Sequence, residues 1–186
     1  MRRFLVGLIV WLAATTLSIA QPAQVIIIRH AEKPDDGNEL SLAGRERAAA
    51  LVPYFLETDE LVEFKTPVAI YAQAQKKATS SVRSFQTVKP LADALRVTVN
   101  QSYTRDQYKN MVDEIMHKNA YEGHTVLICW EHKVIPDMAA EFGVEDAPKT
   151  WHGRDFDRVW IITFRPDKKP SFKDLPQRLM FGDSDD

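Results

Sequence analysis

The sequence predicts a three-layer α/β/α sandwich with a mostly parallel central sheet. Three observations carry that prediction. Apolar strand runs alternate with helical patterns along the chain, which is how parallel sheets are built. Two of the runs, Val25-Ile26-Ile27-Ile28 and Thr125-Val126-Leu127-Ile128-Cys129-Trp130, are apolar without alternation, as expected for strands covered on both faces. The length, 186 residues, fits one domain of ordinary size.

The elements follow in order. The first strand stops on Arg29-His30-Ala31-Glu32-Lys33-Pro34, and Asp35-Asp36-Gly37-Asn38 makes a turn-rich loop. Ser41 reads as a helix N-cap, with the helix running through Ala48-Ala49-Ala50 towards Leu56 and Pro53 expected to kink or shorten it. Residues 66–72 read as a second strand. Thr79, Ser80 or Ser81 can cap a second helix, whose Val82, Phe85, Val88, Leu91 and Leu95 fall at three- and four-residue spacing. Pro90 is an irregularity within it. Residues 96–99 form a third strand, and Asp106 is a candidate cap for a third helix that closes at 122–124. After the strand 125–130 comes a helix through Ile135, Met138, Ala139 and Phe142, with Gly143 as C-cap. Residues 157–164 are the last predicted strand, placed at an edge and antiparallel. The tail from Arg165 is rich in Pro, Lys and Asp and is expected to fray.

The first twenty residues stand apart. A basic Met1-Arg2-Arg3 start precedes an apolar stretch from Phe4 to Leu17, and Ser18 and Ala20 place small residues at −3 and −1 of a cut before Gln21. Residues 1–20 therefore read as a secretory signal peptide. The stretch is short for a membrane span of about 20 residues, so membrane attachment is expected only if it stays uncleaved. The expected domain is 21–186, in an exported protein, periplasmic or secreted. Losing Arg2 and Arg3 takes the formal charge from −2 to −4, which gives no broad basic surface for nucleic acid. Cys129 is the only cysteine, excluding an intramolecular disulfide and a cysteine-based zinc site.

The chemistry gathers where the two apolar strands end. If they run parallel near the sheet centre, Arg29 and His30 share the carboxyl edge with Glu131 and His132, and that edge is where open α/β sheets bind ligands. Arg83, at the start of the helix after the second strand, can face the same edge. Arginine forks match phosphate oxygens and keep their charge. A neutral histidine is a suitable nucleophile, and nearby cations disfavour its protonated form. A phosphoryl group fits such a pocket. A metal held by His30, Glu131 and His132 fits poorly, because the arginines repel a cation.

These residues carry a resemblance. Arg29-His30-Ala31, then Leu40-Ser41-Leu42-Ala43-Gly44, then Ser80-Ser81-Val82-Arg83-Ser84-Phe85-Gln86-Thr87, then Trp130-Glu131-His132 stand in the order and at the spacing of the histidine phosphatase superfamily, branch 1. The chain from about Val25 to Phe164 resembles that phosphoglycerate-mutase-like family. The resemblance implies its fold and a metal-independent phosphatase with no cofactor, acting on a small-molecule phosphate ester. His30 would be the nucleophile, Arg29 and Arg83 would hold the phosphoryl oxygens, and His132 would donate to them. For the proton donor to the leaving oxygen, Asp106, Glu131 and Glu32 remain open. Ala31 and Glu131 stand where the family has glycine. They motivate the alternative, a non-catalytic phospho-ligand-binding module on the same fold.

Overall fold

A computed structural model describes residues 21–184. Residues 1–20, and the signal-peptide expectation with them, lie outside the described residues. Within them a six-stranded sheet has the order β3-β2-β4-β1-β5-β6. The strands are β1 (Gln24–Arg29), β2 (Ala69–Ala72), β3 (Val99–Asn100), β4 (Thr125–Trp130), β5 (Arg158–Thr163) and β6 (Ser171–Pro176).

The two unbroken apolar runs are the two central strands. β1 and β4 lie side by side and parallel, with Ile27 opposite Ile128 and Arg29 opposite Trp130. Every residue of both is buried. Their side chains alternate between two cores. Val25, Ile27, Val126 and Ile128 face a layer that includes Met111, Ile115 and Met138, while Ile26, Ile28, Leu127 and Cys129 face one that includes Leu51, Phe55, Val88 and Leu91. The first layer comes from α4 (Tyr108–His117) and α5 (Ile135–Glu141), the second from α1 (Leu42–Glu57) and α3 (Arg83–Leu95), with the short α2 (Asp59–Val62) following α1. The three-layer sandwich is as expected.

Several local expectations need correction. Pro53 lies inside α1 without ending it. It sits on the exposed side, and Ala49, whose carbonyl loses its partner, is also exposed. The freed carbonyl is open to solvent while Leu51 and Phe55 stay packed. Residue 96 is not in a strand: Arg96 is the left-handed C-cap of α3. The start of α4 is organised by Thr104 rather than Asp106, through a capping box with Gln107 that opens a 3₁₀ turn, Arg105–Gln107. α4 ends at His117, before the expected 122–124.

The largest correction is at the C-terminus. β5 runs antiparallel to β1 as expected, but it is not at the edge, because β6 pairs with it from Arg158↔Pro176 to Thr163↔Ser171. The tail does not fray. Beyond β6 it folds back over Arg47, which is only 3 % exposed. Arg47 donates to both Glu32 oxygens, to Gln177 Oε1 and to both Asp183 oxygens. Asp183 also accepts the N–H groups of Leu179 and Met180, and Asp157 accepts from both the backbone and the hydroxyl of Ser184. A buried guanidinium needs this density of acceptors, and it orders a polar segment that lacks an apolar core of its own.

Candidate active site

The parallel register of β1 and β4 decides the site. Both strands end at the same level, and the His30 N–H donates to the Trp130 carbonyl at 3.4 Å. One residue past β1 is His30; two past β4 is His132. The turn after β2 leads to α3, whose first residue is Arg83. Arg29, Arg83 and His132 are all close enough to act electrostatically on His30. The four residues singled out from the sequence therefore meet at one sheet edge.

His30 is 7 % exposed. Its Nδ1 lies 2.8 Å from the Ala31 carbonyl oxygen. A carbonyl only accepts, so in the neutral ring Nδ1 carries the proton and Nε2 keeps its lone pair. Burial lowers the pKa of His30 to about 4; the bond to Ala31 opposes the shift, and Arg29, Arg83 and His132 add to it. The ring is thus neutral from mildly acid pH upward, with the Nε2 lone pair fixed.

Arg29 is 2 % exposed and is clamped by a loop the sequence did not single out. Its Nη1 donates to the carbonyls of Gly153 and Asp155 at 3.0 and 3.1 Å. Its guanidinium carbon sits 3.8 Å above the centre of the Phe156 ring, and that ring also neighbours His30, at 6.1 Å between centroids. The Nε–H of Arg29 is buried with no hydrogen-bond partner among the described residues. Burial lowers Arg29 to about 10, so it remains a cation at neutral pH. Arg83 is held from behind by the carbonyls of Glu39 and Gly37, and burial lowers its pKa too. With five N–H donors in a guanidinium, that clamp leaves others for a ligand.

Three expectations resolve through local packing. α3 has Val82 as its N-cap without a side-chain cap; Ser81 accepts the Arg83 N–H instead, and Thr87 bridges the Arg83 carbonyl to the Ala31 N–H. The methyl of Ala31 belongs to a small buried cluster with Leu40 and Ala48. Gly44 marks a close approach: a Cβ there would lie 2.3 Å from the Glu32 carbonyl oxygen. That carbonyl accepts both the N–H and hydroxyl of Ser41, which ties the start of α1 to the loop after His30.

The open carboxylates separate clearly. Glu32 is locked to Arg47 at 2.7 Å and is not free to serve as the acid. The Asp106 side chain is 60 % exposed and pairs with Arg105 and Lys76 at 3.1 and 3.5 Å. Glu131 lies beside His132, with Oε1 3.6 Å from Nδ1, and pairs through Oε2 with Arg105 Nε at 2.7 Å. Burial, then Arg29, lowers the pKa of His132, while Glu131 opposes them. His117 and His152 are exposed and His124 is half-buried, as a surface role predicts.

What the sequence did not disclose is the 153–157 loop and the tail that braces it. Carbonyl clamps carry no side-chain signature. Phe156, just ahead of a strand, reads as one more core aromatic.

No family model matches the sequence, and no curated protein matches it. Solved structures do. Phosphoglycerate mutase from Bacillus anthracis str. Sterne has a TM-score of 0.58 at 12 % identity, over 84 % of this chain and 94 % of that one. The alpha-ribazole phosphatase from Shigella flexneri has a TM-score of 0.55 at 12 % identity, over 84 % and 98 %. The protein histidine phosphatase SixA complexed with tungstate has a TM-score of 0.53 at 13 % identity, over 83 % and 97 %. At these identities the likeness is one of fold: the chain has the phosphoglycerate-mutase-like fold.

Proposed function

We propose that this protein is a phosphatase that hydrolyses small phosphate monoesters through a phosphohistidine on His30. The single observation that carries the reading is the state of His30: neutral, with Nδ1 tied to the Ala31 carbonyl, and set among Arg29, Arg83 and His132. A lone pair at Nε2 attacks phosphorus while the guanidinium groups hold the equatorial oxygens, where charge is greatest in the transition state. The unpaired Nε–H of Arg29 is a donor suited to such an oxygen. Water then hydrolyses the N–P bond and releases phosphate. No step in this scheme calls on a metal. The fold neighbours include a protein histidine phosphatase and an alpha-ribazole phosphatase, which supports phosphatase chemistry. We propose export as well, on the strength of the basic start, apolar stretch and small residues of positions 1–20.

The test is hydrolysis of p-nitrophenyl phosphate by the chain from Gln21, with a chelator present, beside His30→Ala. Chelator-resistant turnover that disappears in the variant is the expected result. A folded wild-type chain that binds inorganic phosphate, detected as a rise in Tm, but turns over no ester across the pH range would overturn the enzyme reading in favour of the binding module.

A further inference from the structure

If this site is a phosphatase, something must protonate the leaving oxygen, and the three carboxylates weighed for that role are each paired with a cation. Glu32 is bound to Arg47, Asp106 to Arg105 and Lys76, and Glu131 to Arg105. Two groups remain, Asp155, whose carboxylate acts on the Arg29 charge, and His132. Its Nδ1 is buried and has no hydrogen-bond partner among the described residues. Glu131 Oε1 lies 3.6 Å from that nitrogen, just beyond hydrogen-bond distance. Glu131 is itself fixed twice, by Arg105 Nε at its other oxygen and by the Gln73 side chain, which accepts its backbone N–H at 3.2 Å. The other ring nitrogen is beside the Arg29 clamp: a Cβ built on Gly153 would lie 3.6 Å from His132 Nε2, and the Gly153 carbonyl accepts from Arg29.

We propose that Arg105, Glu131 and His132 form a relay in which His132 is the proton donor to the leaving group and Glu131 is its positioning residue. A carboxylate facing Nδ1 requires a proton there, since a lone pair would meet negative charge. Donation from Nε2 then requires the second proton, so the working form of His132 is the imidazolium. In the first step His30 Nε2 bonds to phosphorus, the P–O bond to the leaving group breaks, and the Nε2 proton of His132 passes to that oxygen. In the second, water attacks phosphorus, its proton returns to His132 Nε2, and the N–P bond breaks. This assigns a use to Glu131, the departure from the family's glycine that most argues against activity.

The groups acting on His132 are Arg29 from β1, Glu131 and Lys133 from the loop after β4, and Arg105 from the turn before α4. Of these only Glu131 favours the charged ring. Removing its charge by Glu131→Gln therefore makes His132 lose its proton at lower pH. The expected result is an alkaline limb of kcat/KM displaced downward by about one pH unit. The loss should be larger for phenyl phosphate than for p-nitrophenyl phosphate, whose leaving group needs less protonation. A merely structural role for Glu131 predicts equal loss at every pH and for both esters, and that result would overturn the relay. An NMR titration of His132 in wild type and variant reads the Glu131–His132 coupling without any turnover. A displaced midpoint in a chain that hydrolyses nothing would sustain the pair and sink the phosphatase reading; an unmoved midpoint would overturn the pair itself.

Discussion

The two histidines of the site hold matching positions and have different environments. His30 follows β1 and His132 follows β4, neighbouring parallel strands that end at the same level. His30 turns its Nδ1 to a backbone carbonyl, a neutral acceptor, and burial among cations holds it near pH 4. His132 turns its Nδ1 to a carboxylate, which resists that same pressure. Both rings are pushed towards the neutral form, but only at His132 does a carboxylate oppose the shift, and the proposed relay uses that difference. Environments that split like groups apart are how one site runs nucleophilic and acid chemistry together. In the proposed mechanism the partner of Nδ1, rather than the position of the ring in the fold, sets the role of each histidine.

That contrast can be broken at either ring. His30→Ala removes the nucleophile, and p-nitrophenyl phosphate turnover should fall by about 10⁴-fold or more, to the level of residual binding effects. His132→Ala should cost much less with this activated ester. Equal losses would show that the two rings work as one unit rather than in two roles.

Next in size is the clamp that holds Arg29. Arg29→Gln removes charge from the phosphoryl oxygens and should lower kcat by about 10²- to 10³-fold, measured in the steady state. The same variant relieves part of the cationic pressure on His30 and should raise its titration midpoint above 4, readable by NMR.

A third prediction concerns stability instead of chemistry. Asp183→Ala removes two of the acceptors of Arg47, and unfolding in urea should show a loss of about 3 kcal/mol, the lower end for a broken buried pair because Glu32 and Gln177 still meet the guanidinium. Burial works against the Asp183 carboxylate, but the Arg47 and backbone hydrogen bonds prevail and hold its pKa below the usual 3.8. This contribution is complete above that unfolded value and is lost as pH falls through the lower folded one. Wild type and variant should thus converge in stability in strong acid.

The smallest effect is expected at the position most exposed. Asp106→Asn should leave kcat within about twofold, because a solvent-exposed ion pair contributes little. A large loss would return the proton-donor role to Asp106 and remove the reason for the relay.

These regions also differ in how far they could be read from the sequence. The sheet centre was legible because burial on both faces demands unbroken apolar runs, and the sudden polarity after Ile28 and Trp130 marks the edge where chemistry can sit. Arg83 was legible through its place at the start of a periodic helix. The tail was not. Its order depends on Arg47, more than a hundred residues away, and β6 alternates Phe172 and Leu175 too sparsely among charges to stand out. The Thr104 cap was missed because an equally good capping residue, Asp106, lies two positions on. The Gly153 and Asp155 carbonyls were invisible, since any residue can offer one.

The central claim is that His30 carries the phosphoryl group. Its most direct test is rapid quenching of wild-type enzyme during turnover, under alkaline conditions that preserve phosphohistidine, followed by peptide mass spectrometry. The account predicts a phosphoryl adduct on the peptide containing His30, localised to that residue and absent from His30→Ala. Turnover with no trapped adduct, or an adduct on His132 instead, would contradict it.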